Sequence, residues 1–292
     1  MYVVMEEKMR SLIKRLYQAA PDFIYYQLGH YAAHGSFVNF KNPRTFSEKI
    51  YHRMRYPREA FSQIADKVAV RKYIASRVPE KYMAPVILIT EEFTAQDYQA
   101  LPSAFVIKTN NASLQVMIVK DKTQVSFQDI QNTLKQWAKV TYWKRYREKH
   151  YANIPPKIIV EKLLDIEVNG EPIDYKVHVF NGKVPYLFVE LLRGGSHPTS
   201  LEYLDEHCHH CFFIQDDIPQ LNTLYEKPRF WDEMIDVAKA VSADLDYCRV
   251  DFYLTQEQIY IGELTLTPGA GNEVFLPHST DRLLGDLMVQ EW

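Results

Sequence analysis

Two short motifs near the C-terminus gather the strongest chemistry in the chain. Arg249-Val250-Asp251 lies in an apolar, strand-like run over 249–254, and Glu263-Leu264-Thr265 lies in a second run over 258–266. Side chains alternate across a strand, so Arg249 and Asp251 share one face, and Glu263 and Thr265 share a face of the partner. The short connection makes a hairpin, which lets the two faces coincide. Two carboxylates, a hydroxyl and a guanidinium then converge on one patch. Hard oxygen ligands of this kind suit Mg²⁺ that also holds substrate phosphates. A surface hairpin with a solvated Arg–Asp pair would show the same letters. The run Thr267-Pro268-Gly269-Ala270-Gly271 immediately afterwards favours a site, because glycine lets backbone N–H groups approach an anion closely.

Lys108 is a second candidate. It ends the apolar run 104–109 and faces Asn110-Asn111-Ala112-Ser113, so its ammonium can hold a phosphate as a compact point charge. Asn110, Asn111, Ser113 and Gln115 are side-chain donors that a phosphate could also use. A third is Val160-Glu161-Lys162-Leu163-Leu164 followed by Asp174-Tyr175-Lys176, where Glu161 and Leu164 can offer a backbone acceptor and donor to a base. Two further clusters point elsewhere. His207-Cys208-His209-His210-Cys211 packs soft ligands into five residues, but no second ligand pair follows to close a zinc site. Between Lys135 and Tyr151, Trp137, Tyr142, Trp143, Tyr146 and Tyr151 alternate with lysines and arginines, which suits stacking on bases or sugar rings beside anionic groups. An amphipathic helix burying its aromatics accounts for the same pattern.

The elements that must position these residues are helices first and strands afterwards. Met5, Met9, Leu12, Ile13 and Leu16 have helical spacing, with basic residues on the remaining surface. Such a helix fits an ordinary surface, and it also allows peripheral contact with an anionic membrane. Thr45-Phe46-Ser47-Glu48 is a capping box that opens a helix towards Met54, and another helix begins near Asp66. Residues 104–120 read as a hairpin, 126–148 as one long helix, and 157–164 and 174–180 as strands. Asn181-Gly182 is a strong hairpin turn, with 184–191 as its return. The region 234–243 is helical. The fold class is α+β.

The chain has 292 residues, with 34 Lys plus Arg, 37 Asp plus Glu and a formal charge of −3. Near-neutral charge argues against nucleic acid as a partner, and the scattered charges leave no transmembrane segment. Ten glycines, none between Gly35 and Gly170, exclude a Walker loop or a dinucleotide fingerprint in the first half. Three cysteines and no signal-peptide pattern point to the reducing cytoplasm.

Taken in order, Asp66-Lys67, Lys108, the Glu-Lys-x-Leu strand end, Arg-x-Asp and Glu-x-Thr with Pro-Gly resemble the ATP-grasp carboxylate–amine ligases, of which the D-alanine–D-alanine ligases are an example. Asn42-Pro-Arg-Thr-Phe-Ser-Glu-Lys49, Asp174-Tyr-Lys176 with Phe180-Asn-Gly-Lys183, and Gly262-Glu-Leu-Thr-Leu-Thr-Pro-Gly269 are similar to signatures of a narrower group, the amidoligases grouped with the teichuronopeptide biosynthesis protein. The resemblance covers about residues 40–285. It implies an ATP-grasp fold, with nucleotide held between two α+β subdomains. The chain then divides into a helical region (1–62), a small α/β linker (63–103), a lid (104–164) and a large antiparallel sheet with the metal site (165–292).

The resemblance also assigns roles. Lys67 and Lys108 match phosphate-contacting lysines, and Lys176 stands near the phosphates. Glu161 and Leu164 match the adenine-reading linker, and Asp174 matches the ribose acceptor. Asp251, Glu263 and Thr265 match the Mg²⁺ ligands, with Thr265 where the broader superfamily has Asn. Arg249 and Gly269 match the groups that hold the anionic intermediate. The loop after Lys108 departs from the pattern, because it has no glycine. The implied activity is ATP-dependent amide formation, joining an amino acid or amine to a uronic-acid carboxylate of a surface or capsular polysaccharide precursor. The alternatives are a non-catalytic nucleotide- or glycan-binding homologue and a sugar-nucleotide glycosyltransferase. The latter would need an Asp-x-Asp motif, whereas Asp216 and Asp217 are contiguous.

Overall fold

A computed structural model describes residues 16–168, 171–191, 200–215 and 227–290. Most of the amphipathic run at 5–18, together with Asp216-Asp217, lies outside the described residues. The architecture is mixed α+β, built on two antiparallel sheets. The smaller contains β1 (Val86–Thr90), β2 (Phe105–Thr109), β3 (Val116–Val119) and β4 (Ile158–Lys162) in the order β1-β4-β2-β3. A strand from the 63–103 stretch thus pairs with β4 of the lid region. Phe105, Ile107 and Val160 turn to one face of this sheet and pack on Ile130 of helix Phe127–Ala138.

The larger sheet contains β5 (Glu167–Val168), β6 (Glu171–Phe180), β7 (Lys183–Leu191), β8 (Ser200–Leu204), β10 (Tyr247–Leu254) and β11 (Ile259–Thr265). The short β9 (Ile214–Gln215) pairs separately with β12 (Phe275–Leu276). The order is β11-β10-β6-β7-β8, with β5 on β6. The β6–β7 hairpin turns at Asn181 and Gly182, whose φ angles of 46° and 77° are the left-handed pair that a tight hairpin demands. Val177, Val179, Val250 and Phe252 form the apolar face, closed by helix Trp231–Val241 through Trp231, Met234 and Val241. Burial on this scale is what holds the sheet rigid.

The opposite face is covered at one end by helix Phe46–Arg55, whose Phe46 ring packs 5.2 Å from Phe180 and 4.9 Å from Tyr247. The expected capping box is formed, with Thr45 Oγ1 accepting from Glu48 N and Glu48 accepting from Thr45 N, both at 3.2 Å. From this helix Arg53, 2% exposed, reaches the start of β10 and the end of β11. It donates to Tyr247 O at 3.0 Å, Leu266 O at 2.9 Å and Asp246 Oδ1 at 2.6 Å.

The long helix expected over 126–148 is two helices, Phe127–Ala138 and Tyr142–Tyr146. Ser126 caps the first with a box to Asp129, but β-branched Val140 and Thr141 follow its end, and Arg147 takes φ 57° beyond the second. The tyrosines of this stretch pack on one another, with Tyr142 4.7 Å from Tyr146 and 5.0 Å from Tyr151. Among the described residues no helix is long and apolar enough to cross a membrane.

Candidate active site

The uncovered end of the large sheet carries the two C-terminal motifs in register. Asp251 pairs with Glu263 on one side and Lys176 on the other, while Arg249 pairs with Thr265 and His178. Tyr253 pairs with Asp174. Period-two alternation therefore sets Asp174, Lys176 and His178 of β6, Arg249 and Asp251 of β10, and Glu263 and Thr265 of β11 on one face. Arg249 grips Asp251 with a two-pronged pair, Nε to Oδ1 at 2.7 Å and Nη2 to Oδ2 at 2.8 Å, and Nη2 also donates to Thr265 Oγ1 at 3.2 Å. Burial opposes charge on Arg249, yet Asp251 beside it holds the guanidinium protonated.

Burial likewise opposes ionisation of Glu263, but Lys67, Arg249 and Lys108 together hold its carboxyl below the usual range. Lys67 Nζ donates to Glu263 Oε1 at 3.0 Å and to the backbone carbonyl of Ala112 at 2.8 Å. Asp66, just before it, accepts from Val68 N at 2.8 Å and Ala69 N at 3.3 Å, a side-chain turn that fixes where Lys67 leaves the chain. On β6, burial raises the Asp174 pKa and lowers that of Lys176. The two charged ends lie 3.9 Å apart. His178 is fully buried with Nδ1 2.8 Å from Tyr186 Oη and 2.9 Å from Tyr247 Oη, and burial drives its pKa well down, so it is a neutral floor for the site.

The small sheet faces this patch with its own pair. Lys108 Nζ lies 2.7 Å from Glu161 Oε2, and Arg71 Nη1 3.5 Å from Oε1. Leu164 follows β4 by two residues. The registers Ile89–Ile159–Lys108–Val116 and Glu161–Val106–Ile118 put exposed Ile89, Val116 and Ile118 on the same face as this ion pair. Sequence reading missed that apolar strip, although β-branched residues at alternate positions signalled it.

Just beyond β11, Gly269, Ala270 and Gly271 take φ angles of 52°, 51° and 75°, a left-handed run. A Cβ on Gly269 would stand 2.7 Å from Glu273 Cγ. Sequence reading also missed Glu148, which lies buried against Thr267 at the head of this turn. One acidic residue in a run of basic and aromatic ones gave no signal for it.

Two expectations for the loop after Lys108 are corrected. Asn110 is fully buried and committed to structure, its amide donating to Asp66 Oδ1 at 2.9 Å and Pro155 O at 3.0 Å while its Oδ1 accepts from Lys157 N at 2.7 Å. Gln115 Oε1 accepts from Thr109 Oγ1 at 2.6 Å, and its amide donates to Trp137 O at 3.3 Å. Asn111 and Ser113 are the loop donors left for a ligand. In the Cys/His segment, His210 Nδ1 lies 2.6 Å from Glu202 Oε1, whereas His209 Nδ1 lies 3.4 Å from Asp205 Oδ2. Among the described residues no three His, Cys, Asp or Glu side chains converge as a metal cluster.

Two facing sheets, one carrying cations and an apolar strip and the other carrying paired carboxylates, define a cleft suited to a charged ligand with a flat apolar part. The chain belongs to the TupA-like ATPgrasp family, whose model matches residues 48–289. The chain resembles the D-alanine–D-alanine ligase of Bacillus anthracis at 18% identity and a TM-score of 0.46, covering 77% of this chain and 66% of that one. For the Helicobacter pylori enzyme the values are 12%, 0.45, 78% and 61%. For a D-cycloserine synthetase they are 13%, 0.42, 77% and 69%. The chain thus spans less than two thirds of the length of the D-alanine–D-alanine ligases. A search of curated protein sequences finds no match.

Proposed function

We propose that this chain is an ATP-dependent carboxylate–amine ligase that releases ADP and phosphate. It joins an amino acid or other amine to the carboxylate of a sugar acid destined for surface or capsular polysaccharide. The observation that carries this reading is the Asp251–Glu263 register pair, backed by Arg249 and faced by Lys67 and Lys108. A carboxylate is too poor an electrophile to meet an amine directly. Phosphoryl transfer from ATP gives an acyl phosphate, the amine attacks its carbonyl carbon, and phosphate leaves as the amide forms.

In this reading Lys67 and Lys108 bind the phosphates, each exchanging a carboxylate partner for a phosphate oxygen. Ile89, Val116 and Ile118 supply an apolar wall for the base, with Glu161 and the chain to Leu164 reading its edge. Asp174 accepts from the ribose, and Lys176 stands beside the phosphates. Arg249 and the Gly269 backbone N–H stabilise the oxyanion of the tetrahedral intermediate. The donor set fits Mg²⁺, since Asp251, Glu263 and Thr265 offer only hard oxygens. Lys67 takes one oxygen of Glu263, and Arg249 donates to both oxygens of Asp251 and to the Thr265 hydroxyl. Glu263 Oε2 and second lone pairs on the others are what an ion would use. Bound there, the ion would neutralise charge on the phosphate oxygens. The described cysteines, Cys208, Cys211 and Cys248, are free thiols, which suits a reducing compartment such as the cytoplasm.

The test is ADP release over a panel of amino acids with uronic-acid acceptors, followed by mass analysis for the amide. Amide together with ADP supports the reading. A sugar transferred from a sugar nucleotide, with ATP untouched, overturns it.

A further inference from the structure

Behind the small sheet, on the side away from Lys108 and the apolar strip, lies a cavity of about 350 Å³, an ordinary size for a small-molecule site. Thr109 and Ile158 line it. They pair across β2 and β4 and alternate with Lys108 and Ile159, so they turn to the helix side with Ile107 while Lys108 turns to the cleft. Trp137, Tyr142, Trp143 and Tyr151 form the aromatic walls, and each is half-buried. Gln115 fixes one wall, donating to Trp137 O at 3.3 Å and accepting from Thr109 Oγ1 at 2.6 Å. Tyr142 fixes another, donating to Glu148 Oε2 at 2.8 Å. Glu148 also accepts from the Thr267 hydroxyl, so this wall is tied to the turn at 267–271.

The positive charge around this cavity is uncommitted. Lys157 lines it, and Lys139, Lys144 and Arg145 stand exposed beside Trp137 and Trp143 in the sequence. Among the described residues none of these four side chains makes an ion pair or a hydrogen bond. Lys144 Nζ stands 5.6 Å from the Trp143 ring centroid, which sets a cation beside the ring. Glu91, also in the lining, can only accept, which suits hydroxyl groups and repels a phosphate. Tyr142 and Tyr151 meet at 71° with centroids 5.0 Å apart, so they present a face and an edge rather than a parallel slot for a flat base. A pyranose ring matches this lining: its C–H face suits an indole, its hydroxyls suit Glu91, and the carboxylate of a sugar acid suits Lys157. We propose that the cavity is a binding site for a sugar acid, with the ring against Trp143 and the carboxylate on Lys157. Its use as an acceptor subsite rests on the ligase reading above, but its ligand chemistry does not.

Calorimetry of the full chain with glucuronate and galacturonate trimers tests this. Wild type should bind at least one of them, and the methyl ester of that trimer should bind more weakly. Trp143→Ala should weaken the acid trimer about tenfold or more, and Trp143→Phe, which keeps a ring, should recover most of the loss. Lys157→Met should weaken the acid trimer about fivefold and leave the ester unchanged. Circular dichroism and MgATP affinity should be the same in all three variants and wild type. Binding of neither trimer by wild type, or trimer binding indifferent to both Trp143→Ala and Lys157→Met, overturns the site. Loss of MgATP affinity in step with the trimer also overturns it, because the ligand would then share the cleft. So does tighter binding of a thymidine oligonucleotide that Trp143→Ala abolishes. The ADP-release assay is read separately. Its failure with every acceptor would overturn the ligase reading and leave the sugar-acid site standing, whereas ADP release without trimer binding would leave the ligase reading and remove the site.

Discussion

Arg53→Met is the perturbation whose cost follows most directly from the structure. The guanidinium is 1% exposed and makes three hydrogen bonds, to Asp246 Oδ1 at 2.6 Å, Tyr247 O at 3.0 Å and Leu266 O at 2.9 Å. Methionine fills most of the volume but donates nothing. The Asp246 carboxylate, 5% exposed, keeps its own Tyr247 N–H at 3.1 Å and the half-exposed Arg58 at 3.4 Å. Removing one partner of a buried ion pair costs about 3–5 kcal/mol, and each orphaned carbonyl adds about 1 kcal/mol or more. Arg58 can move closer and recover part of this, so the expected loss is about 4 kcal/mol. With a urea m-value of about 3 kcal/mol/M the unfolding midpoint should fall by about 1.3 M. Replacing the pair together, Arg53→Met with Asp246→Leu, should recover more than half of the loss, because no buried charge is then left alone. A single variant that loses less than about 1 kcal/mol, or a double variant no more stable than the single one, would refute the reasoning. The outcome bears on function because Arg53 ties the start of β10 to the end of β11, the two strands that carry Arg249, Asp251, Glu263 and Thr265.

Asp251→Asn and Glu263→Gln each remove ligand charge with little change of volume, so ADP release should fall about a hundredfold or more while circular dichroism is unchanged. Asn110→Ala should lower the unfolding midpoint, since it leaves the Lys157 N–H and two acceptors without their partner, whereas Asn111→Ala with Ser113→Ala should weaken ATP binding about tenfold at unchanged stability. The Glu263 carboxyl is held below its ordinary value. The stability it contributes is therefore present above about pH 4.3, the unfolded value. It is lost as pH falls through the lower folded value, and urea midpoints of Glu263→Gln should lack that acid-side decline.

Period two carried most of what could be read in advance. Arg249, Asp251, Glu263 and Thr265 share a face because alternation is enforced by backbone geometry, and Asn181-Gly182 fixed the β6–β7 turn locally. Contacts between distant segments left no such trace. Nothing in Asn-Asn-Ala-Ser says that Asn110 is swallowed by Asp66, Pro155 and Lys157, because its partners arrive only when β2 and β4 pair. The break near Lys139–Thr141 was visible as β-branched residues, but a strong helical pattern on both sides outweighed them. Glu148 was illegible for a deeper reason. A carboxylate among Lys, Arg and Tyr normally reads as a solvated partner, and only the tertiary fold buries it against Thr267.

The apolar strip on the small sheet has a consequence for the behaviour of the protein in solution. β3 is an edge strand, its residues Val116-Met117-Ile118-Val119 carry no charge, and Val116 and Ile118 are 43% and 58% exposed. An uncharged β-branched edge is a template for pairing with a second strand. Lys120 directly follows it and interrupts the run after four residues, as a gatekeeper does. Self-association at high concentration should therefore start from this edge, and a charged residue at position 118 should suppress it.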